Sequence, residues 1–212
     1  MAGAHNKLLQ RTVIPNRWRA AYGSAPPLNC GVMPHWNGML LDPSAANAFI
    51  SGYKQVLLRV AGGDDGRMDR RGILETLTDA RHLVKRNPEV LEKAVVELQA
   101  TDQPVEEEVL RAIRTLRVDN WVYLRDTKSY SVFIQSSGEF ALGVLALTQR
   151  MRDIVGATGV VIETGVVRYR GRFVCDGLVS RVVHLGSGYR RSFSATYRTL
   201  RATGRFDMSG EA

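Results

Sequence analysis

A change of hydrophobic period near residue 118 constrains the fold of this chain more than any other feature. Before it, apolar residues recur every three to four positions, which is the period of helices buried on one side. After it, short apolar and β-branched runs alternate with polar turns, as in antiparallel strands. This order indicates an α+β protein, with an N-terminal helical bundle, a mainly antiparallel sheet and a C-terminal amphipathic helix.

The same pattern divides the chain into four regions. Residues 1–42 contain four prolines and no regular period, so we expect an irregular or disordered arm. Residues 43–117 are the helical region, and residues 118–206 are the sheet region. Residues 207–212 form a short tail.

Helix boundaries are readable in the helical region. Asp42 is a good N-cap and Pro43 suits the first helical position. Gly62 and Gly63 predict the end of this first helix. The fourth helix is expected to begin near residues 101–104 and to place three glutamates in its first turn, where the helix dipole favours anions: Glu106, Glu107 and Glu108.

Turn residues divide the sheet region into strands. We expect a hairpin with its turn at residues 126–128, and then a buried strand within residues 140–147. Thr148 is expected to cap a short helix that ends at Gly156. The last helix is expected to run from about residue 188 to 203.

Positive charge is concentrated in residues 164–206, which we call the basic segment. It holds nine arginines and one carboxylate, a surplus that equals the +8 net charge of the 212-residue chain. The rest of the chain is balanced, so the charge is segregated rather than scattered. This predicts a phosphate-bearing partner, nucleic acid or another polyanion. An acidic protein or membrane headgroups would also match the charge.

The last helix carries the clearest candidate site. At 100° per residue, one face holds Tyr189, Phe193, Thr196, Tyr197 and Leu200. An adjoining face is cationic and holds Arg190, Arg191, Arg198 and Arg201. Ser187 and Gly188 are predicted to offer a hydroxyl and backbone N–H groups to a phosphate at the start of this helix. A plain loop between strand and helix uses the same residues, so that alternative stays open.

A second arginine cluster surrounds the two-residue turn Arg170-Gly171, which pairs Tyr169 with Arg172. Together with Arg168, these arginines are expected to contact phosphates, and Tyr169 is expected to stack on a base. The alternative is a solvated hairpin end whose charges prevent aggregation of the strand edges.

A catalytic hypothesis rests on Glu163 and Asp176. If the hairpin register continues, Glu163 pairs with Leu178, and the two carboxylates lie diagonally on one face, about 7–8 Å apart at the backbone. Such a pair is able to hold a divalent metal ion or to divide acid and base roles, which indicates a metal-dependent hydrolase of a phosphate-bearing substrate. A one-residue slip would separate them, and Asp176-Gly177 also suits a plain turn.

Other chemistry finds no support in the sequence. The four histidines show no metal-ligand spacing, so neither a metal nor another cofactor is expected. Cys175 and His184 are an odd number of residues apart, which places them on opposite strand faces. No apolar run reaches the roughly 18 residues of a membrane span, so a cytoplasmic protein is expected. The favoured function is non-catalytic binding of phosphates by the arginine-rich face.

Overall fold

The order of helices and strands is that of an α+β protein, as predicted. The computed structural model describes residues 38–62, 70–100 and 105–209. Within them, the helices are α1 (Pro43–Val60), α2 (Arg70–Arg86), α3 (Glu89–Gln99), α4 (Glu107–Arg114), α5 (Met151–Val155) and α6 (Ser187–Ala202). The strands are β1 (Arg117–Asp126), β2 (Ser131–Gln135), β3 (Ala141–Leu145), β4 (Val160–Tyr169), β5 (Arg172–Cys175), β6 (Arg181–His184) and β7 (Phe206–Asp207).

Local capping explains where α1 begins. The Asp42 carboxylate accepts hydrogen bonds from the backbone N–H groups of Ser44 and Ala45, at 3.0 and 3.2 Å. Pro43 occupies the first helical position, where it has no N–H to leave unpaired. Both residues act as their types predict.

Two other helix starts differ from expectation. α4 begins at Glu107, and the expected start at residues 101–104 lies outside the described residues. α5 begins at Met151 after Arg150 and has no side-chain cap, so Thr148 does not cap it. The end of α5 at Gly156 is as predicted, with this glycine at φ +82°.

Strands β1 to β5 close into a barrel. β1, β2 and β3 are consecutive antiparallel neighbours, and β4 lies beside β1, which is the Greek-key arrangement. β5 pairs antiparallel with β4 and parallel with β3, so the ring runs β1-β2-β3-β5-β4 and back to β1. β6 extends the edge of β4, and β7 pairs parallel with β3.

Side-chain alternation along the strands divides the core into three clusters, one inside the barrel and two between the barrel and the helices outside it. The barrel interior is filled by Trp121, Tyr123, Phe133, Leu142, Val144, Val160, Ile162, Val166, Phe173 and Cys175. α5 adds Met151, Ile154 and Val155 to this cluster. Since α5 connects the end of β3 to the start of β4, it closes that end of the barrel.

Helices cover two regions of the outer barrel surface. The helices α1 to α4 share a core with outward side chains of β3, β4 and β5: Leu145, Val167, Tyr169 and Val174. α6 packs over the outer face of β1 and β2 through Tyr197 and Leu200, which meet Val122, Leu124, Val132 and Ile134. Each fully buried side chain of this kind contributes about 1.5–3 kcal/mol, so both contacts fix the helices firmly.

The turn at Arg170-Gly171 sets the register of its hairpin as predicted. Arg170 and Gly171 have φ values of +51° and +66°, the left-handed conformation that a two-residue hairpin turn requires. Tyr169 therefore lies opposite Arg172.

Beyond Cys175 the predicted register fails. Glu163 pairs with Arg181 instead of Leu178, because residues 176–180 leave the strand ladder before β6 resumes it. Asp176 itself still lies beside Gly165, to whose carbonyl it donates its backbone N–H at 2.9 Å.

Parts of both terminal regions join the sheet. Leu41 donates its N–H to the Ala146 carbonyl at 2.9 Å, and the Ala146 N–H donates to the Met39 carbonyl at 3.0 Å. Met39 and Leu41 are buried, although the sequence placed them in the irregular arm. Asp207, placed in the tail, ends β7. Residues 1–37 of the arm lie outside the described residues.

Candidate functional site

Asp176, a predicted catalytic residue, is a buried acceptor in the protein core. Its side chain has no exposed surface. The carboxylate accepts hydrogen bonds from the hydroxyls of Tyr53 and Thr164, both at 3.0 Å, and from the Arg81 guanidinium at 3.2 Å. The backbone N–H groups of Gly165 and Leu178 add bonds of 3.2 and 3.0 Å: we call Asp176 and these donors the Asp176 hub.

Such an enclosed carboxylate has no oxygen facing a substrate. The predicted catalytic role of Asp176 is therefore replaced by a structural one, because its charge is used to hold the residues after Cys175 against β4 and α2. Sequence reasoning missed this because the donors come from distant parts of the chain.

Arg81 of α2 is the cation of the Asp176 hub. It is fully buried and also donates to the Leu178 carbonyl and to the Ser180 hydroxyl. Burial lowers the pKa of Arg81, but the Asp176 carboxylate, together with Tyr53 and Glu163, more than offsets this, so the pKa lies above its ordinary value. Arg81 therefore stays charged in the core, where breaking an ion pair costs about 3–5 kcal/mol.

Glu163 lies on the same outer barrel face as Asp176, although the pairing of Glu163 with Leu178 from which the diagonal arrangement was predicted does not form. Its carboxylate is 3.2 Å from the Ser180 hydroxyl, which in turn accepts a 3.2 Å bond from Arg81. His82 lies 3.6 Å from Glu163. The pair is thus linked through Ser180 and Arg81, with cations and a hydroxyl around it. The described residues contain no group of three or more His, Cys, Asp and Glu side chains able to hold a metal ion.

Cys175 and His184 occupy different environments. Cys175 is buried inside the barrel, and burial raises the pKa of its thiol to about 12. His184 is exposed on β6. A thiol held protonated in the core is not a nucleophile.

The predicted stacking residue, Tyr169, is buried. It is only 1% exposed, and its ring centre lies 5.4 Å from that of Phe49 on α1. Its hydroxyl donates to the Ala45 carbonyl at 3.4 Å. Burial raises the pKa of Tyr169. The stacking prediction is wrong because Tyr169 points to the outer barrel face that α1 covers.

The three arginines of the turn have different surroundings. Arg170 is exposed and pairs with Glu108 at 3.2 Å. Arg172 is half-buried. Arg168 is exposed, and its Cζ lies 5.7 Å from the centre of the Phe173 ring. Among the described residues, no carboxylate lies within 4.0 Å of Arg168 or Arg172, so these two are the uncompensated arginines of the turn.

α6 presents its predicted cationic face to solvent. All four members are exposed: Arg190, Arg191, Arg198 and Arg201. Two of them bend back along the helix, since Arg190 donates from Nε to the Leu185 carbonyl at 3.0 Å and Arg198 to the Ser194 carbonyl at 3.3 Å. Those bonds use Nε alone, so the outer nitrogens of both guanidinium groups are left for an anion.

The start of α6 differs from the sequence prediction. Ser187 and Gly188 lie inside the first helical turn, after an N-cap at Gly186 that provides no side-chain bond. Both residues are exposed. Tyr189, expected on the packing face, is 67% exposed. Phe193 is the first side chain of α6 that packs against the cluster beneath the helix.

A cavity of about 460 Å³ opens at the barrel end opposite α5, and we call it the mouth pocket. This volume lies within the roughly 300–1,000 Å³ typical of ligand sites. It is bounded by the start of β1, β3 and β5 and by the end of β4. Its apolar wall is formed by Phe140, Leu142, Val166 and Phe173.

Three arginines and one carboxylate line the same pocket: Arg117, Arg168, Arg205 and Asp207. The Arg117 guanidinium lies 4.5 Å from the centre of the Phe140 ring and 3.7 Å from the Asp119 carboxylate. Arg205 donates to the Glu139 carbonyl at 3.4 Å. An apolar wall beside a net positive rim suits a ligand with a flat apolar part and an anionic group.

Of the predicted phosphate-binding residues, only Arg168 reaches the mouth pocket. The other two arginines of the pocket are far apart in the sequence, since Arg117 begins β1 and Arg205 precedes β7. Phe140 directly precedes β3. The charge count of the basic segment included Arg205. It gave no signal for Arg117, because only barrel closure brings β1 beside β4.

No family model matches this chain, and no curated protein or solved structure shows a significant match to it. Among the described residues, no helix has both the length and the apolar character that crossing a bilayer requires.

Proposed function

We propose that this protein binds the phosphates of nucleic acid through its basic segment and catalyses no reaction. One observation carries the proposal. Of the nine arginines in residues 164–206, only Arg170 has a carboxylate within 4.0 Å among the described residues, and the one acid of the segment, Asp176, is buried against Arg81. The surplus charge is therefore left on the protein surface.

Arginine is suited to this role. Its guanidinium group is planar, stays charged at any physiological pH and offers forked donors that match a phosphate. Each phosphate that an arginine neutralises also releases bound counterions, which is the main source of sequence-independent affinity. The exposed arginines of the segment are Arg168, Arg170, Arg181, Arg190, Arg191, Arg198, Arg201 and Arg205.

The barrel supports the proposal by analogy. Five-stranded Greek-key barrels include the OB-fold, in which the face of strands 2 and 3 binds oligonucleotides or oligosaccharides. Here α6 covers the outer face of β1 and β2 and turns its arginines outward from there. A fold does not fix a function, so the proposal rests on the surface charge.

Fluorescence anisotropy with labelled single- and double-stranded DNA and RNA tests the proposal. Affinity is expected to fall by orders of magnitude between about 50 and 200 mM salt. Replacing Arg190, Arg191, Arg198 and Arg201 by glutamine is expected to remove most binding. The slope of log affinity against log salt should also become shallower, by roughly one unit for each phosphate that the variant no longer neutralises.

A matched control separates the surface from net charge. Replacing Arg59, Arg86, Lys93 and Arg111 by glutamine removes the same four charges from exposed positions of the helical region. This control is expected to bind nearly as the unchanged protein does. Equal binding by both variants and the unchanged protein, or equal loss in both, would refute the proposal. No binding at 50 mM salt would do so too, and would redirect attention to an acidic protein partner.

A further inference from the structure

The mouth pocket lies next to the end of the cationic face of α6. We infer that this pocket receives a nucleotide that carries a phosphate monoester, an inference that rests on the proposed binding of nucleic acid. The ligand has two parts, a flat ring and a dianionic group, and the pocket has a distinct surface for each.

The apolar wall fits the ring. Phe140 and Phe173 line the cavity together with the aliphatic side chains of Leu142 and Val166. Every base has a flat π-face, so bases stack on aromatic side chains whatever their sequence. Arg117 and Arg168 lie 4.5 and 5.7 Å from these two rings, so flat guanidinium surfaces extend the stacking area.

The charges fit a monoester. The pocket is lined by three guanidinium groups and one carboxylate, and a phosphate monoester carries about −1.5 to −2 at pH 7. Arg168 and Arg205 have no carboxylate within 4.0 Å among the described residues, so both charges are available to the phosphate.

Asp207 distinguishes a nucleotide from a simple aromatic anion. Its Oδ1 accepts bonds from the backbone N–H and the hydroxyl of Ser209, both at 2.9 Å. The second oxygen is a further acceptor on a residue that lines the pocket with the three arginines. A ribose hydroxyl or an exocyclic amine of a base supplies the donor that such an acceptor needs.

The chain connects the pocket to the cationic face. α6 is 16 residues long, about 24 Å at 1.5 Å per residue, and its last turn carries Arg201. Gly204 and Arg205 follow directly and line the pocket. A strand lying along α6 therefore reaches the pocket with its end.

Free nucleotides and phosphorylated strand ends share this chemistry, and two experiments separate them. Isothermal titration calorimetry with the four nucleoside 5′-monophosphates, adenosine and inorganic phosphate tests the pocket alone. Monophosphates are expected to bind at least ten-fold more tightly than adenosine or phosphate, because each of those lacks one part of the ligand. Dissociation constants above about 1 mM for all four monophosphates would overturn the free-nucleotide source.

Anisotropy with 12-nucleotide single strands tests the strand end. A strand with a 5′- or 3′-terminal phosphate is expected to bind about ten-fold more tightly than one with hydroxyl ends, as one charged hydrogen bond is worth about that factor. Equal affinity for phosphorylated and hydroxyl ends would overturn the strand-end source. The inference fails if neither experiment gives a phosphate-dependent gain.

Matched variants separate the pocket from the α6 face. Arg168→Gln with Arg205→Gln is expected to abolish the phosphate-dependent gain. Its affinity for hydroxyl-ended strands is expected to fall only as far as the loss of two charges from the basic segment requires. Arg170→Gln with Arg181→Gln removes the same charge from exposed positions outside the pocket and is expected to keep the gain. A phosphate-dependent gain that survives the pocket variant refutes the inference while leaving the proposed function intact. Monophosphate binding without strand binding refutes the proposed function and leaves the pocket as a free-nucleotide site.

Discussion

Arg81 and Arg168 carry the same guanidinium group in opposite settings. Arg81 is fully buried and pairs with a buried carboxylate that accepts hydrogen bonds from five residues of the Asp176 hub. Arg168 is exposed at the rim of the mouth pocket, with an aromatic ring beside it and no acid within 4.0 Å among the described residues. The charge of Arg81 therefore forms an ion pair inside the protein, whereas the charge of Arg168 faces solvent.

This difference teaches how to read an arginine-rich chain. Arg81 is held in the core by its ion pair with a buried acid, and removing that acid costs stability. A charge on the rim adds little to stability and keeps its capacity for a ligand. Counting arginines in the sequence does not separate the two kinds, but the position of the carboxylates does.

The largest effect is expected in the core. Asp176→Asn removes the charge that Arg81 needs, and it is expected to lower the free energy of unfolding by about 3–5 kcal/mol. Chemical unfolding monitored by circular dichroism measures this. Glu92→Gln breaks the surface pair with Arg114, whose two side chains are 56% and 37% exposed, and should cost less than about 1 kcal/mol. Similar losses in both variants would remove the contrast between core and surface charge.

A smaller loss is expected from the backbone beside the Asp176 hub. A Cβ at Gly165 would meet the Asp176 carboxylate and lie 2.7 Å from Leu116. Gly165→Ala is expected to cost about 1–3 kcal/mol by crowding. Gly188→Ala is the control, because its Cβ meets nothing within 4 Å and alanine favours the helix by up to about 1 kcal/mol. A Gly165→Ala variant as stable as the unchanged protein in the same unfolding assay would show that the hub tolerates movement.

Single arginines sharpen the comparison at the surface. Arg168→Gln is expected to weaken the binding of phosphorylated strands by about ten-fold, with unchanged stability. Arg170→Gln removes an arginine two residues away that already pairs with Glu108, and a two-fold effect or less is expected. Anisotropy and thermal unfolding of both variants provide the check. A larger loss from Arg170 than from Arg168 would reverse the assignment.

The smallest effect is expected from His82, which borders the hub. Burial and the neighbouring Arg81 lower the pKa of His82, and Glu163 opposes them. The unfolded chain, with a pKa of about 6.5, then takes up the proton more readily than the folded one. The contribution of His82 to stability is therefore complete above about pH 6.5, and it declines as the pH falls from there towards the lower pKa of the folded state.

His82→Gln should remove this contribution. Urea unfolding between pH 7.5 and 5 is expected to show a slightly steeper decline in the unchanged protein than in the variant. A decline that is steeper in the variant would mean that protonated His82 stabilises the fold through Glu163.

Local signals in the sequence predicted what depends on neighbouring residues. Asp42 and Pro43 indicated the start of α1, and the Arg170-Gly171 turn indicated the pairing of Tyr169 with Arg172. The α+β class followed from the two periods. Each of these features is determined by residues that are close together in the sequence.

Features made by distant pairing escaped the sequence. The parallel pairing of β3 with β5 and the pairing of β1 with β4 close the barrel, and neither leaves a periodic signal. The mouth pocket and the buried state of Tyr169 both follow from that closure. The predicted pairing of Glu163 with Leu178 was wrong, because residues 176–180, which include Asp176 of the hub, leave the strand ladder.

The core shared by α1 to α4 and the barrel has a consequence for biosynthesis. α4 ends at Arg114, yet the core it belongs to is completed by residues as late as Leu178. Roughly 60 residues must still be added, which takes about 3–12 s at about 5–20 residues per second. During that interval the emerging helices lack the barrel residues that later cover their apolar surface, so the helical half cannot complete its core until most of the barrel has been synthesised.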